Sequence, residues 1–165
     1  GWSYPEKFLL FRAGVNDESY IELLKIFIEL AGKWDLPIIL HAVYEDAPIA
    51  CELLEQYSIK KAHFHWFKGD KLTTERLIRN GYMISLTPDI LYEDEIQQLA
   101  IHYPIEQMMV ETDGPWPFEG PFTGKTTDPQ MIHHSIKKIA ELKKEDVKTI
   151  YQQLYENTCM FYGID

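Results

Sequence analysis

The feature that most constrains this fold is an alternation along the chain. Four short runs are apolar through nearly their whole length: "PIILH" (37–41), "KAHFHWF" (61–67), "YMISLTP" (82–88) and "QMMVET" (107–112). Between them lie longer runs whose apolar residues recur every three or four positions. A strand that is apolar on both faces is buried on both faces, and helices between such strands imply a parallel sheet with right-handed crossovers. The expectation is an α/β fold with four visible strands in one domain spanning residues 1–165. The helical runs carry their own punctuation. Asp17 and Asp46 suit N-caps, with Pro48 tolerated in the first turn of its helix. In the first of these helices Ile21, Leu24, Ile28 and Ala31 fall at core spacing. Gly81 suits a helix stop, and Asp128-Pro129 reads as an N-cap followed by a first-turn proline.

Each apolar run ends in polar residues: His41, His65, Ser85 to Thr87, and Glu111 to Asp113. In a parallel α/β sheet the C-terminal strand ends face the ligand. His41, His65 and Asp113 are metal-ligand residue types at three such tips, which predicts that they converge on one pocket. Period-two geometry puts His63 on the same side as His65, and Glu111 on the same side as Asp113. His65 is taken as a ligand and His63 as a neighbour lining the interior. His102, His133 and His134 fall on helices and read as surface residues. The loop "GPWPFEGPFTGK" offers Trp116, Phe118 and Phe122 either as stacking faces for bases or as rings packed beneath the loop. Lys68 and Lys125 are candidate phosphate contacts.

Bulk properties bound the function. The formal net charge is −10, which argues against a broad basic groove for nucleic acid but not against a compact site built around cations. No run is long and apolar enough to span a bilayer, so no membrane role is expected. Cys51 and Cys159 have no paired spacing and read as free thiols, which fits a cytoplasmic protein.

With these residues in view, "LPIILHA", "AHFHWFKGD" and "MMVETDGPWPFEGPFTGKTTDP" resemble, in order and spacing, the successive motifs of the TatD-type metal-dependent hydrolases, from about residue 18 to the C-terminus. The specific parts are the His-x-Phe-x-Gly at 65–69 and the Glu-Thr-Asp-x-Pro at 111–115. The resemblance implies a (β/α)8 TIM barrel of the amidohydrolase-like kind, divalent metal ions (Mg, Mn or Zn) and deoxyribonuclease or other phosphoester hydrolase activity. By the same resemblance His41 and His65 are histidines of one metal site. Asp113 binds the other metal and helps to activate water. The family's N-terminal His-x-His and the Glu of its third strand have no counterpart here. The chain therefore reads as the C-terminal part of a barrel, about four β/α units. Val43 and Thr127 stand where many members carry Arg and Asn.

The chemistry expected is attack by a metal-activated water, with Asp113 as base and Glu111 and His63 supporting the ligands from behind. Trp116, Phe118 and Lys125 are assigned to substrate contact, and DNA or another phosphoester is the expected substrate. Two alternatives stay open: an ester or amide hydrolase on the same fold, which the acidic charge favours, and an inactive chain that needs further ligands. Open sheet edges predict association with a complementary half or with a copy of itself.

Overall fold

The computed structural model of the chain describes residues 9–12 and 18–164. It divides into two compact units, Gly1–Met83 with Cys159–Asp165, and Ile84–Thr158.

In the first unit, β1 (Leu9–Arg12), β2 (Ile38–His41) and β3 (Ala62–Phe64) pair in parallel. The register sets Arg12 beside His41 and Leu40 beside Phe64. Helices α1 (Glu18–Trp34), α2 (Asp46–Gln56) and α3 (Lys71–Arg79) alternate with the strands. β1 was not among the four strands expected from sequence: three apolar residues and an arginine without periodic context cannot be told from helix or loop by pattern alone. The core is built as the pattern required. Leu24, Ile28 and Ala31 of α1 are buried, while Ile21 is only half-buried. They belong to the same apolar core as Ile38, Leu40, Leu54, Phe64 and Leu77. Tyr82 stacks on Phe64 at 5.8 Å, and its hydroxyl reaches the Ile59 carbonyl at 3.2 Å.

The helix starts differ in detail from expectation. Asp46 is the first residue inside α2 rather than its cap, because Glu45 before it already has helical backbone and makes no side-chain cap. The cap on α3 is instead Asp70, whose carboxylate accepts from the Thr73 amide at 2.7 Å. Gly81 follows α3 with φ +72°, as a C-terminal stop requires. Asp17 lies outside the described residues.

In the second unit, β4 (Met83–Leu86) and β5 (Met108–Val110) pair in parallel, Ile84 beside Met108 and Leu86 beside Val110. The helices are α4 (Asp94–His102), α5 (Ile132–Lys143) and α6 (Val147–Tyr162), the last turn of α6 being counted with the first unit. Asp128 accepts from the Gln130 amide at 2.8 Å and opens a 3-10 turn, Pro129–Met131, that runs into α5. Asp146 caps α6 by accepting from the amides of Lys148 and Thr149. Buried Asn157 then ties α6 to the start of β5, donating to the carbonyls of Ile105 and Met108 at 2.7 and 2.8 Å. Lys143, its pKa lowered by burial, donates to the Tyr103 carbonyl at 2.7 Å. Among the described residues no helix is long and apolar enough to cross a membrane.

Candidate metal centre

β2 ends on His41 itself. β3 ends on Phe64, but the His65 amide still donates to the Leu40 carbonyl at 2.8 Å, so the ladder continues one residue further. The parallel register thus sets His41 and His65 side by side at neighbouring strand tips. Their ring centroids are 5.6 Å apart and tilted by 56°, and both rings are half-buried. Two imidazoles bound to one ion at about 2.1 Å per bond put their centroids about 5–6 Å apart, so this pair fits two positions of a common metal. Among the described residues no group of three or more His, Cys, Asp or Glu side chains is placed to hold a metal ion. The pair alone does not make up a metal-holding group.

The segment after His65 is held tightly. Trp66 turns the chain with φ +47°, and Phe67 is fully buried. A Cβ at Gly69 would sit 2.7 Å from the Phe67 ring, so this position has room for glycine only. The Tyr44 amide donates to the Lys68 carbonyl at 2.8 Å, tying the loop after β2 to the loop after β3. The Lys68 ammonium lies over the Trp66 ring at 5.7 Å.

His63 lines the interior, as expected, and is 5% exposed. Its Nδ1 is 2.9 Å from the Tyr162 hydroxyl, and its ring meets Phe161 edge-on at 5.9 Å. Among the described residues its Nε2 has no hydrogen-bond partner. Burial, and then the neighbouring His65, push its pKa down to about 3, so it stays neutral. Tyr162 was invisible to sequence reasoning because an aromatic at a helix end carries no signal of what it will touch.

In the second unit the Glu111 amide donates to the Leu86 carbonyl at 3.0 Å, extending the β4–β5 ladder by one residue. The Ser85 hydroxyl donates to Glu111 Oε2 at 2.6 Å, which fixes that carboxylate beside the β4 tip. Ser85 was recognised only as a polar strand end, not as a partner of Glu111. Asp113 has φ +46°, so the extended chain has ended before it. Strand alternation therefore does not by itself set the direction of its side chain. The Trp116 amide closes the turn by donating to the Asp113 carbonyl at 3.1 Å.

The sequence left two roles open for the loop rings, and burial separates them. Phe118 and Phe122 are each 3% exposed, and Phe122 packs edge-on against His134. A buried ring has no face to offer a base, so Phe118 does not serve as a stacking surface. Trp116 is 51% exposed and Lys125 is exposed. The loop is pinned by the Glu119 amide donating to the Tyr92 hydroxyl at 3.0 Å and by the Thr127 hydroxyl donating to the Trp116 carbonyl. His102, His133 and His134 are exposed on helices, and Cys51 and Cys159 are free, as expected.

Parallel β/α units with histidines at adjacent strand tips, and a Glu-Thr-Asp at the end of another strand, fit a TIM-barrel-type α/β fold. The chain belongs to the TatD related DNase family, whose model matches residues 10–163. It is 43% identical over 145 residues to an uncharacterized metal-dependent hydrolase of Haemophilus influenzae, covering 88% of this chain and 57% of that protein. It is 26% identical over 149 residues to the human deoxyribonuclease TATDN3, covering 90% of this chain and 53% of that protein. The crystal structure of the TatD homologue YjjV from Escherichia coli superposes with a TM-score of 0.81 at 24% identity, over 98% of this chain and 63% of the other. The chain thus spans a little over half the length of the curated relatives it matches.

Proposed function

We propose that His41 and His65 are two ligands of a divalent-cation site, Mg, Mn or Zn, in a hydrolase of phosphoester bonds, with DNA phosphodiesters as the first substrate class. The observation that carries this is the 5.6 Å approach of the two rings at neighbouring strand tips. A bound divalent cation lowers the pKa of water and polarises a phosphoryl oxygen. The remaining roles belong to this chain's own groups. Asp113 orients the water and takes its proton. Glu111, held by Ser85, and neutral His63, held by Tyr162, keep their strand tips in place. Trp116 offers an exposed ring for stacking, and Lys125 an exposed ammonium for a phosphate. The name deoxyribonuclease on the human relative supports the choice of substrate.

A second reading concerns the chain by itself. With two histidines in place and no third ligand beside them among the described residues, it binds metal weakly and hydrolyses little. It reaches full activity with a complementary half or a second copy. Titration with Co2+, followed by visible absorption, tests the first reading. Weak binding to the chain should be lost in His41→Ala and in His65→Ala, and binding unchanged in both variants would refute it. The same samples are then offered labelled single-stranded DNA and a p-nitrophenyl ester. Strong metal-dependent DNA cleavage by the pure chain, abolished by Asp113→Ala, would overturn the second reading and leave the first standing. Cleavage of the ester alone would replace the substrate class.

A further inference from the structure

The turn after β4 makes a contact that the metal site does not use. Thr87, just past that strand, donates its hydroxyl to Asp89 Oδ1 at 2.5 Å, and both residues are buried. The Asp89 carbonyl accepts from the amides of Tyr92 and Glu93 at 3.1 and 2.9 Å. Gln97 on α4 donates to the Ile90 carbonyl at 2.9 Å. The 3-10 turn Pro88–Leu91 is thus closed on itself and on α4, and Tyr92 leaves it from a fixed backbone. Its half-buried side chain reaches the middle of the loop after β5. There the hydroxyl accepts from the Glu119 amide at 3.0 Å. The ring lies so close to Gly120 that a Cβ at that position would stand 2.8 Å from Tyr92 Cδ1. Gly120 also has φ +57°, so glycine suits this position on both counts.

Glu119 and Gly120 sit between the two residues assigned to substrate. The Phe122 amide donates to the Glu119 carbonyl at 3.0 Å, and the Lys125 amide to the Phe122 carbonyl at 2.9 Å. Trp116 lies three residues before Glu119, with its own carbonyl held by the Thr127 hydroxyl. We propose that Tyr92 is a positioning residue: by holding Glu119 and Gly120 it sets where the loop presents Trp116 and Lys125 to single-stranded DNA. The inference rests on the substrate role proposed above for those two residues, and it names what holds them. A loop that is already ordered loses less conformational entropy when its ligand binds. Loss of the Tyr92 anchor therefore weakens binding although no contact to the DNA is removed. Glu119 is exposed, so its amide regains water when the hydroxyl is deleted, and Tyr92→Phe keeps the ring against Gly120. That variant tests the anchor without unfolding the loop.

The experiment is binding of a fluorescein-labelled oligothymidylate of about twelve nucleotides to the whole chain, read by fluorescence anisotropy. It is done in EDTA, so that neither cleavage nor the histidine pair's metal enters the signal. Trp116→Ala combined with Lys125→Ala should weaken binding, and Tyr92→Phe alone should weaken it about three- to tenfold. In the background that already lacks Trp116 and Lys125, Tyr92→Phe should change nothing further, a dependence that a general loss of structure does not produce. Hydrogen exchange should quicken over residues 114–127 in Tyr92→Phe, with the β4 and β5 amides and the thermal midpoint as in the parent. Tyr92→Phe that binds as the parent does overturns the proposal and leaves the substrate role standing. An equal loss in both backgrounds also overturns it, because Tyr92 then does not act through Trp116 and Lys125. A parent that does not bind the oligonucleotide, or whose binding survives Trp116→Ala with Lys125→Ala, refutes the substrate role itself and takes this proposal with it.

Discussion

Asn157 is the side chain whose loss the structure makes easiest to cost. It is 2% exposed on α6 and uses both ends of its amide. The NH2 group donates to the carbonyls of Ile105 and Met108, and the oxygen accepts from Gln153 Nε2 at 2.8 Å. Asn157→Ala removes both donors and leaves the Met108 carbonyl unsatisfied at a buried position. The Ile105 carbonyl sits in a half-buried residue and regains water more easily. An unsatisfied buried group costs about 1–3 kcal/mol, so the expected loss is about 2–4 kcal/mol. In urea, at a slope of about 2 kcal/mol per molar, this lowers the unfolding midpoint by about 1–2 M. Asn157→Asp keeps the shape but turns an ionised carboxylate towards two carbonyl oxygens. It should cost more than Asn157→Ala at neutral pH and recover part of the loss in acid, where the group is protonated and donates again. Equilibrium unfolding by circular dichroism reads both effects. A loss under about 0.5 kcal/mol for Asn157→Ala would refute the reasoning, because it would mean that the two carbonyls had other partners.

Two further outcomes follow from the first unit. The Arg76 guanidinium, with Asn80 adding a second donor, holds the Glu55 carboxyl down at about 2, through contacts of 2.6 and 2.8 Å. A lowered folded-state pKa contributes stability above the unfolded value near 4.5, and that stability is lost as pH falls towards 2. Glu55→Gln should therefore cost stability at neutral pH, flatten the dependence in that window, and match the parent below it. The side chains are 36 and 31% exposed, so screening holds the difference to about 1 kcal/mol or less. An unchanged pH profile would show that the pair contributes nothing. Gly69→Ala pushes a methyl against the fully buried Phe67 ring and should cost about 1–3 kcal/mol, read as a lower thermal midpoint. A midpoint equal to that of the parent would show that the ring has room to move.

The fold class and the histidine pair were legible because each rests on a pattern with a fixed geometric meaning. Runs apolar on both faces read as parallel strands, and a histidine at the end of each of two such neighbours must come near the other. Contacts formed late in the chain were not legible. Nothing in "CMFYGI" says that Tyr162 reaches His63, ninety-nine residues away, and nothing in "ISL" says that Ser85 binds Glu111 rather than solvent. Cap positions slipped for a related reason. Asp46 and Asp70 are the same residue type at a helix start, and only the backbone separates them: Glu45 before Asp46 is already helical, whereas Asp70 itself is extended and caps. Aromatic residues in the long loop were ambiguous because stacking and packing use the same rings, and burial alone distinguishes Trp116 from Phe118.

Backbone geometry shows where strand alternation stops setting the direction of a side chain. Six described residues other than glycine have positive φ: Asp35, Tyr44, Ser58, Trp66, Asp113 and Lys144. Asp35, Ser58 and Lys144 each follow the end of a helix, α1, α2 and α5, where one left-handed residue is the ordinary way to stop. Tyr44, Trp66 and Asp113 are different. They follow β2, β3 and β5 by two or three residues, past each strand tip that carries a candidate ligand. A left-handed conformation at a bulky residue such as Tyr or Trp costs on the order of 1 kcal/mol or more, and such positions gather at functional edges. Glycine would relieve that cost at all three places. The chain instead carries two large rings and a carboxylate there, and the ring at Trp66 lies under the Lys68 ammonium. The turns after the strands are thus spent on side chains rather than on backbone ease. The same turns break the two-residue alternation that would otherwise have told, from sequence, where Asp113 points.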